Sequence, residues 1–250
     1  MREQVYAEYR QRAEEHWWFR ARRHIFGKLL DAHVPLPQGA RILDLGPGSG
    51  VNLPILRDRG AVTTVDLSRD SLDDCRAQGA RHLLEADASA PPLVDGSFDL
   101  VCALDVLEHL PDDAAALRAW RELLAPGARL LLSVPALSVL WGRQDVLSGH
   151  FRRYRRAALN SLLRDAGLRV ERLSYFNSVL FPPILAVRLL MRPFLGRTAK
   201  GNGSDLSMTS PALDGALYRV FAAEAGWLRR RNLPLGVSLV GLARRDEGGA

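Results

Sequence analysis

Cysteine is nearly absent from this chain of 250 residues, which has only Cys75 and Cys102. Two cysteines cannot build a disulfide framework, and their placement has no metal-ligand spacing. Cys102 lies in the apolar run Leu100-Val101-Cys102-Ala103-Leu104, so a buried core thiol in a reducing compartment is expected. Long apolar runs are also missing: no stretch offers the roughly 18 uninterrupted residues a membrane-spanning helix needs. Charged residues follow Met1 without an apolar segment, so no secretory signal is expected, and the expected location is cytoplasmic. Lysine is scarce too. Lys28 and Lys200 are the only two among 34 basic residues, and arginine supplies the rest of a formal charge of +6. Arginine suits bidentate binding of phosphate or carboxylate, but a GC-rich coding bias produces the same composition. The clusters Arg152-Arg153-Tyr154-Arg155-Arg156 and Arg229-Arg230-Arg231 are less random.

What remains is an ordinary globular composition, 47% hydrophobic and 25% charged, enough for one large α/β domain. The first 35 residues read as helix with aromatic punctuation, closed by Pro35-Leu36-Pro37-Gln38-Gly39. Short apolar runs then alternate with helical patterns. Strands are predicted at Arg41–Leu45, Val62–Val65, His82–Glu85, Phe98–Leu104, Arg129–Val134, Leu168–Tyr175 and Val237–Arg244. Helices are predicted near Val51–Arg59, Arg69–Gln78, Asp112–Leu124 and Arg156–Ala166, with a stop at Ala125-Pro126-Gly127 and a loop over Ala136–His150. Such alternation predicts a parallel sheet covered on both faces. About 60 further residues precede the last strand: an apolar stretch (Phe176–Leu195), a polar segment whose Gly201–Asp205 is the candidate mobile loop, and a helical pattern from Pro211 to Arg230.

The chemistry begins at Ile42-Leu43-Asp44-Leu45-Gly46-Pro47-Gly48-Ser49-Gly50, where a buried strand turns into a helix. Glycines there let the backbone approach a bulky cofactor and present N–H groups to it. Asp66, at the end of the second strand, is placed to accept from ribose hydroxyls. A nicotinamide-binding turn would share both features, but with Gly-x-Gly-x-x-Gly spacing and a pyrophosphate on the helix N-terminus. Here the spacing is Gly-x-Gly-x-Gly with Asp44 two positions before the first glycine. A carboxylate suits a cationic ligand better than a pyrophosphate, which favours S-adenosylmethionine (SAM).

Two more segments, Glu85-Ala86-Asp87-Ala88 and Gly96–Val101 leading into Asp105-Val106-Leu107-Glu108-His109, complete a pattern. In this order and spacing the four segments resemble the class I SAM-dependent methyltransferases, especially the branch that includes the ubiquinone-biosynthesis enzymes. The Trp17-Trp18-Phe19 opening, Gly149–Tyr154 and Pro234–Leu239 resemble a bacterial subgroup of such enzymes with mostly unassigned substrates. The resemblance implies a Rossmann-like seven-stranded sheet with the last strand antiparallel, forming one domain. Its expected parts are an N-terminal helical cap (1–38), a core (39–175), a helical insertion or lid (176–232), and the last strand and tail (233–250). It also implies that Asp44, Gly46, Pro47, Gly48 and Gly50 flank the methionine moiety. Asp66 and Leu67 would meet the ribose side, Asp87 and Ala88 the adenine, and Leu104 and Asp105 the amino group. Arg22 would pair the cofactor carboxylate and Trp18 would line the pocket. Asp66 and Asp87 as turn or cap residues, and Asp105 and Glu108 as first-turn acids, are the competing structural readings.

Methyl transfer from a sulfonium is an in-line displacement, so alignment is the protein's main task, an effect of around 7–11 kcal/mol. A hydroxyl acceptor would add a general base; His150 and His109 are the candidates, with Tyr154 shaping the acceptor site. Neither a metal cluster nor a Ser-His-Asp arrangement is visible. The apolar insertion, with Arg188 and Arg192 one turn apart, points to a small-molecule or lipid-like, amphiphilic acceptor, and equally to peripheral contact with the inner membrane face or a helix packed on the sheet. O-methylation is the favoured outcome. The alternatives are a non-catalytic partner protein of the same fold and an RNA methyltransferase; nucleic acid is the less expected partner because no RNA-binding appendage is visible.

Overall fold

The computed structural model describes residues 15–195 and 211–247. Seven strands form one sheet: β1 (Arg41–Leu45), β2 (Ala61–Asp66), β3 (His82–Glu85), β4 (Phe98–Leu104), β5 (Leu124–Pro135), β6 (Leu168–Phe176) and β7 (Ser238–Arg245). Their spatial order is β3-β2-β1-β4-β5-β7-β6. The β1–β2, β2–β3, β1–β4 and β4–β5 pairs are parallel, whereas β7 runs antiparallel to both neighbours, β5 and β6.

Helices cover both faces, so the central strands are apolar on both sides. Leu43 and Leu45 of β1, Val101 and Ala103 of β4, and Leu130 and Leu132 of β5 face one layer. That layer contains α4 (Asp113–Leu123), which inserts Leu117 and Trp120, and α6 (Arg156–Asp165), which inserts Leu159 and Leu163. The alternate residues Ile42, Leu100, Cys102, Leu104 and Leu131 face the other layer. It is built from α1 (Trp17–His33), α2 (Leu53–Arg57), α3 (Arg69–Ala77), and two helices of the insertion, α8 (Pro211–Ala222) and α9 (Glu224–Leu228). Along α1, Arg22, Ile25, Phe26, Leu29 and Leu30 are buried, a helical stripe that seats it on the sheet. Phe26 meets Phe176 edge-on at 5.7 Å, and Phe176 stacks on Phe221 at 6.0 Å.

Six strands stand within one residue of their predicted bounds, whereas β5 begins at Leu124, five residues before the expected Arg129. Three expectations are corrected. The helix does stop before Ala125-Pro126-Gly127, but these residues lie within β5 rather than in a turn, because β5 begins at Leu124 opposite Phe98 before the ladder shifts register. The loop Ala136–His150 contains a 3₁₀ turn (Ser138–Leu140) and a helix, α5 (Arg143–Ser148). The pattern Pro211–Arg230 breaks at Ala223 into α8 and α9. The apolar run forms α7 (Phe181–Leu195), and Gly201–Asp205 falls outside the described residues. Among the described residues, no helix is long and apolar enough to cross a membrane.

Candidate active site

Parallel strands bring their C-terminal ends to one edge, where an open α/β sheet binds its ligands. Three glycines make the turn after β1. Gly46 and Gly48 have φ of 60° and 58°, and a Cβ at Gly46 would stand 2.9 Å from Val106. A Cβ at Gly48 would meet nothing within 4 Å, so the turn encloses open space on that side. The Gly46 amide donates to the Val65 carbonyl at 2.8 Å, tying the turn to β2.

Two acids frame this space. Asp44 is buried, and its Oδ2 has no hydrogen-bond partner. Burial raises its carboxyl to about 7, and the neighbouring Asp66 pushes in the same direction. An orphaned buried carboxylate is costly unless a ligand completes it, and the ammonium of SAM is a ligand of the right sign. Asp66 accepts from the Ser68 amide at 2.8 Å and from Gly48 N–H at 3.4 Å, so it orders the loop and the start of α3 together. Burial raises its carboxyl as well, against the lowering effect of those hydrogen bonds. Leu67 beside it is 69% exposed, an apolar side chain left open next to the turn. Pro47 is half-buried in the loop. Asp87 is exposed and accepts from the Ser89 amide at 2.8 Å, while the buried Ala88 uses its carbonyl to receive Trp120 Nε1 at 2.7 Å.

At the end of β4, Leu104 is buried and Asp105 turns the chain with φ of 61°, a left-handed conformation that costs a non-glycine residue about 1–2 kcal/mol. Its amide donates to the Ser133 carbonyl at 2.9 Å, and its carboxylate accepts from Ser133 Oγ at 3.1 Å and forms an ion pair with Arg22. Arg22 in turn donates to Ser133 Oγ at 2.9 Å, and its guanidinium lies 4.2 Å from the Trp18 ring centroid. Arg22 and Trp18 thus reach the same strand edge, with Arg22 held by Asp105.

The two candidate histidines come together, their ring centroids 4.7 Å apart. His109 closes a 3₁₀ turn (Leu107–His109) after β4, and His150 follows α5. The Phe151 amide donates to the Glu108 carbonyl at 2.8 Å and fixes the two segments to each other. Burial, then His150, lowers the His109 imidazole to about 4, so it is neutral at physiological pH. His150 Nδ1 lies 2.9 Å from Asp145 Oδ1. Asp145 is fully buried, and it also accepts from Arg153 Nε at 2.7 Å and from Gly142 N–H at 2.8 Å. Burial pushes its carboxyl up, but these donors outweigh it and hold Asp145 at about 2. An ionised Asp145 fixes a proton on Nδ1 of His150, so Nε2 is the ring nitrogen left for another partner. Close to both histidines lies Glu108, fully buried, with no hydrogen-bond partner from another residue. Burial, then Asp105, drives its carboxyl well above the usual range.

Tyr154 sits apart from these groups in chemical terms. Its buried hydroxyl donates to Asp113 at 2.8 Å, and burial with that partner raises its pKa. Both cysteines are buried, and burial pushes the Cys75 thiol to about 12, so neither serves as a nucleophile. Asp145 and Ser133 carry roles that the linear pattern does not show. The local signal for Asp145 was its place three residues after Gly142, where an acid caps a short helix.

This sheet order, with an antiparallel seventh strand and a glycine turn flanked by Asp44 of β1 and Asp66 of β2, is that of a class I SAM-dependent methyltransferase. Residues 8–173 match the family described as "Methyltransferase domain", and the chain belongs to that family. The ubiquinone biosynthesis O-methyltransferase of Xanthomonas axonopodis pv. citri is 33% identical over 159 residues, covering 55% of this chain and 66% of that protein. Similar proteins from Xanthomonas campestris pv. campestris are 38% identical over 109 residues, 41% of this chain and 45% of theirs. The chain therefore spans between about half and two thirds of these relatives. Among solved structures, a chain of the Haloferax volcanii complex between the Trm112 methyltransferase activator and a methyltransferase aligns with TM-score 0.62 at 19% identity, over 96% of this chain and 94% of that one. At that identity the likeness is one of fold.

Proposed function

We propose that this protein moves a methyl group from SAM to a hydroxyl oxygen of a small, amphiphilic acceptor. The observation that carries the reading is the juxtaposition of two half-sites at one sheet edge. The orphaned Asp44 in the glycine turn fits a cationic cofactor, and the Asp145-held His150 fits a hydroxyl. SAM, when bound, supplies a methyl already activated by the sulfonium. Asp44 and the turn residues Gly46, Pro47, Gly48 and Gly50 hold its methionine end. Asp66, with Leu67 beside it, would accept from the ribose hydroxyls, and Asp87 and Ala88 would flank the adenine. Leu104 and Asp105 meet the amino group. Arg22, stacked near Trp18 and held by Asp105 and Ser133, would also pair the cofactor carboxylate. The acceptor hydroxyl belongs against His150 and His109, with Tyr154 buttressing that wall through Asp113. O-methylation agrees with what the Xanthomonas relatives are named for.

The insertion at 176–232 is the acceptor-selecting part. Val187, Leu189 and Leu190 of α7 are exposed, which suits an amphiphilic acceptor drawn from, or near, a bilayer surface. Calorimetry with SAM, its demethylated product and NADH tests the cofactor half. SAM should bind, Asp66→Ala should abolish binding, and NADH should not bind. A screen of hydroxylated amphiphiles tests the other half. For any acceptor found, His150→Ala should lower kcat by about 10²–10⁴ with SAM affinity unchanged. SAM bound with equal turnover in His150→Ala would overturn the placement of the acceptor.

A further inference from the structure

We propose that Gln78 is a positioning residue for the cofactor loop, and that Gly50, the last glycine of the turn, makes room for this side chain and not for the cofactor. The inference rests on SAM binding at that turn. Gln78 follows α3, and its Nε2 donates to the Ser49 carbonyl at 2.6 Å. A carbonyl only accepts, so the contact fixes which end of the amide faces the loop. The N–H of the same peptide, that of Gly50, donates to the Pro47 carbonyl at 3.0 Å. Both polar groups of the Ser49–Gly50 peptide are thus engaged within the protein, and its orientation is set.

The three glycines of the turn have three different neighbours. A Cβ on Gly46 would press on Val106, and one on the half-buried Gly48 would meet nothing. On the buried Gly50 it would stand 2.7 Å from Gln78 Nε2 and 3.2 Å from Gln78 Cδ. Open space for a ligand therefore lies at Gly48, whereas the space at Gly50 is filled by the protein itself. The part Gly50 plays in holding the methionine end is then indirect, through Gln78.

Gln78 is itself held at its backbone. Its carbonyl accepts from Arg57 Nη1 at the end of α2, and its amide donates to the Asp74 carbonyl at 3.1 Å. The residue therefore ties α2, which the glycine turn launches, to the end of α3, and reaches back to the turn with its side chain. Without that side chain the Ser49 carbonyl loses its partner and the peptide is free to rotate. Gly48 precedes it directly, and its N–H reaches Asp66 at 3.4 Å, so a loosened peptide disturbs the contact between the loop and β2 as well.

The test is calorimetry of SAM and of its demethylated product against the full chain. Gln78→Ala should weaken both ligands by about 2–10-fold, the effect of one lost hydrogen bond. Gln78→Glu at about pH 8 should do the same, because an ionised carboxylate keeps the shape but cannot donate. Gly50→Ala should weaken SAM strongly in the wild-type background and much less in Gln78→Ala. Removing the side chain relieves the close contact and leaves only the strain of a positive φ, 76°, common to both backgrounds. An equal penalty in the two backgrounds would overturn the proposal, since it would set the cofactor against Gly50. Wild-type affinity in either Gln78 variant would overturn it too. If Gly50→Ala loses its folded circular-dichroism spectrum, hydrogen exchange in cofactor-free Gln78→Ala decides instead. The Gly50 amide should then exchange at least about tenfold faster while the β1 amides stay protected, and unchanged exchange counts against the proposal. Wild type that binds no SAM would sink the cofactor reading and this inference with it, whereas the other adverse results leave that reading standing.

Discussion

Asp44 is a carboxyl held half-protonated near neutrality by its own burial, with Asp66 beside it. A cationic ligand settling on it favours the charged form, so cofactor binding below about pH 7 should expel a proton. SAM affinity is expected to rise from pH 5.5 to 7.5, by at most about tenfold per unit. Calorimetry in buffers of different ionisation heat reads the proton directly, and Asp44→Asn should remove both the release and the pH dependence. The sign for stability is opposite. The folded pKa lies above the unfolded one, so the empty protein's stability relative to Asp44→Asn is greatest below about pH 4 and declines as pH rises towards 7. Gly48 makes a second residue-scale case. Gly48→Ala should cost about 1–2 kcal/mol in urea melts, from positive φ alone. It should weaken SAM far more than that strain explains, because its Cβ would stand in the space the turn leaves open. Equal SAM affinity in wild type and Gly48→Ala would show that the cofactor lies elsewhere.

At the scale of elements, the join between β6 and α7 depends on one distant carboxylate. Glu224 of α9 accepts from the Ser178 amide at 2.7 Å and the Val179 amide at 3.0 Å. Glu224→Ala leaves those amides unsatisfied and should cost about 1–3 kcal/mol. Hydrogen exchange should quicken at residues 178 and 179 while the β5 amides stay protected; unchanged exchange there would deny the join. Elements also mark what sequence alone reveals. β1 and β4 were legible because apolar runs end in glycine or aspartate, and α4 because Asp112 caps it and Leu117 and Trp120 share a face. α5 was not legible: six residues reading Arg-Gln-Asp-Val-Leu-Ser have no apolar period. Asp145 holds that helix through Arg153 and His150, contacts that exist only after folding. For the same reason the Gly46–Gly50 pocket could be read as a string, whereas the Glu108–His109–His150 cluster could not. Its members come from the ends of β4 and α5.

For the molecule as a whole, we propose that the N-terminal helix is a wall of the core and not a detachable cap. Phe26 is fully buried among residues of the sheet and of the insertion. Phe26→Ala should therefore lower global stability by about 3–5 kcal/mol in a single cooperative urea transition with an unchanged slope. Two separated transitions, with the sheet's own midpoint unmoved, would mean that the two parts fold independently.

The placement of β7 between β5 and β6 also bears on synthesis. Nothing made before residue 238 can bridge residues 124–135 to residues 168–176, since their common neighbour is still missing. While the ribosome works through the insertion, β5 and β6 wait with unfilled edges, and such edges invite pairing with other chains. The nascent protein thus carries an unfinished gap beside the edge strand β6 until β7 emerges, and it depends at that moment on speed or on chaperones to close correctly.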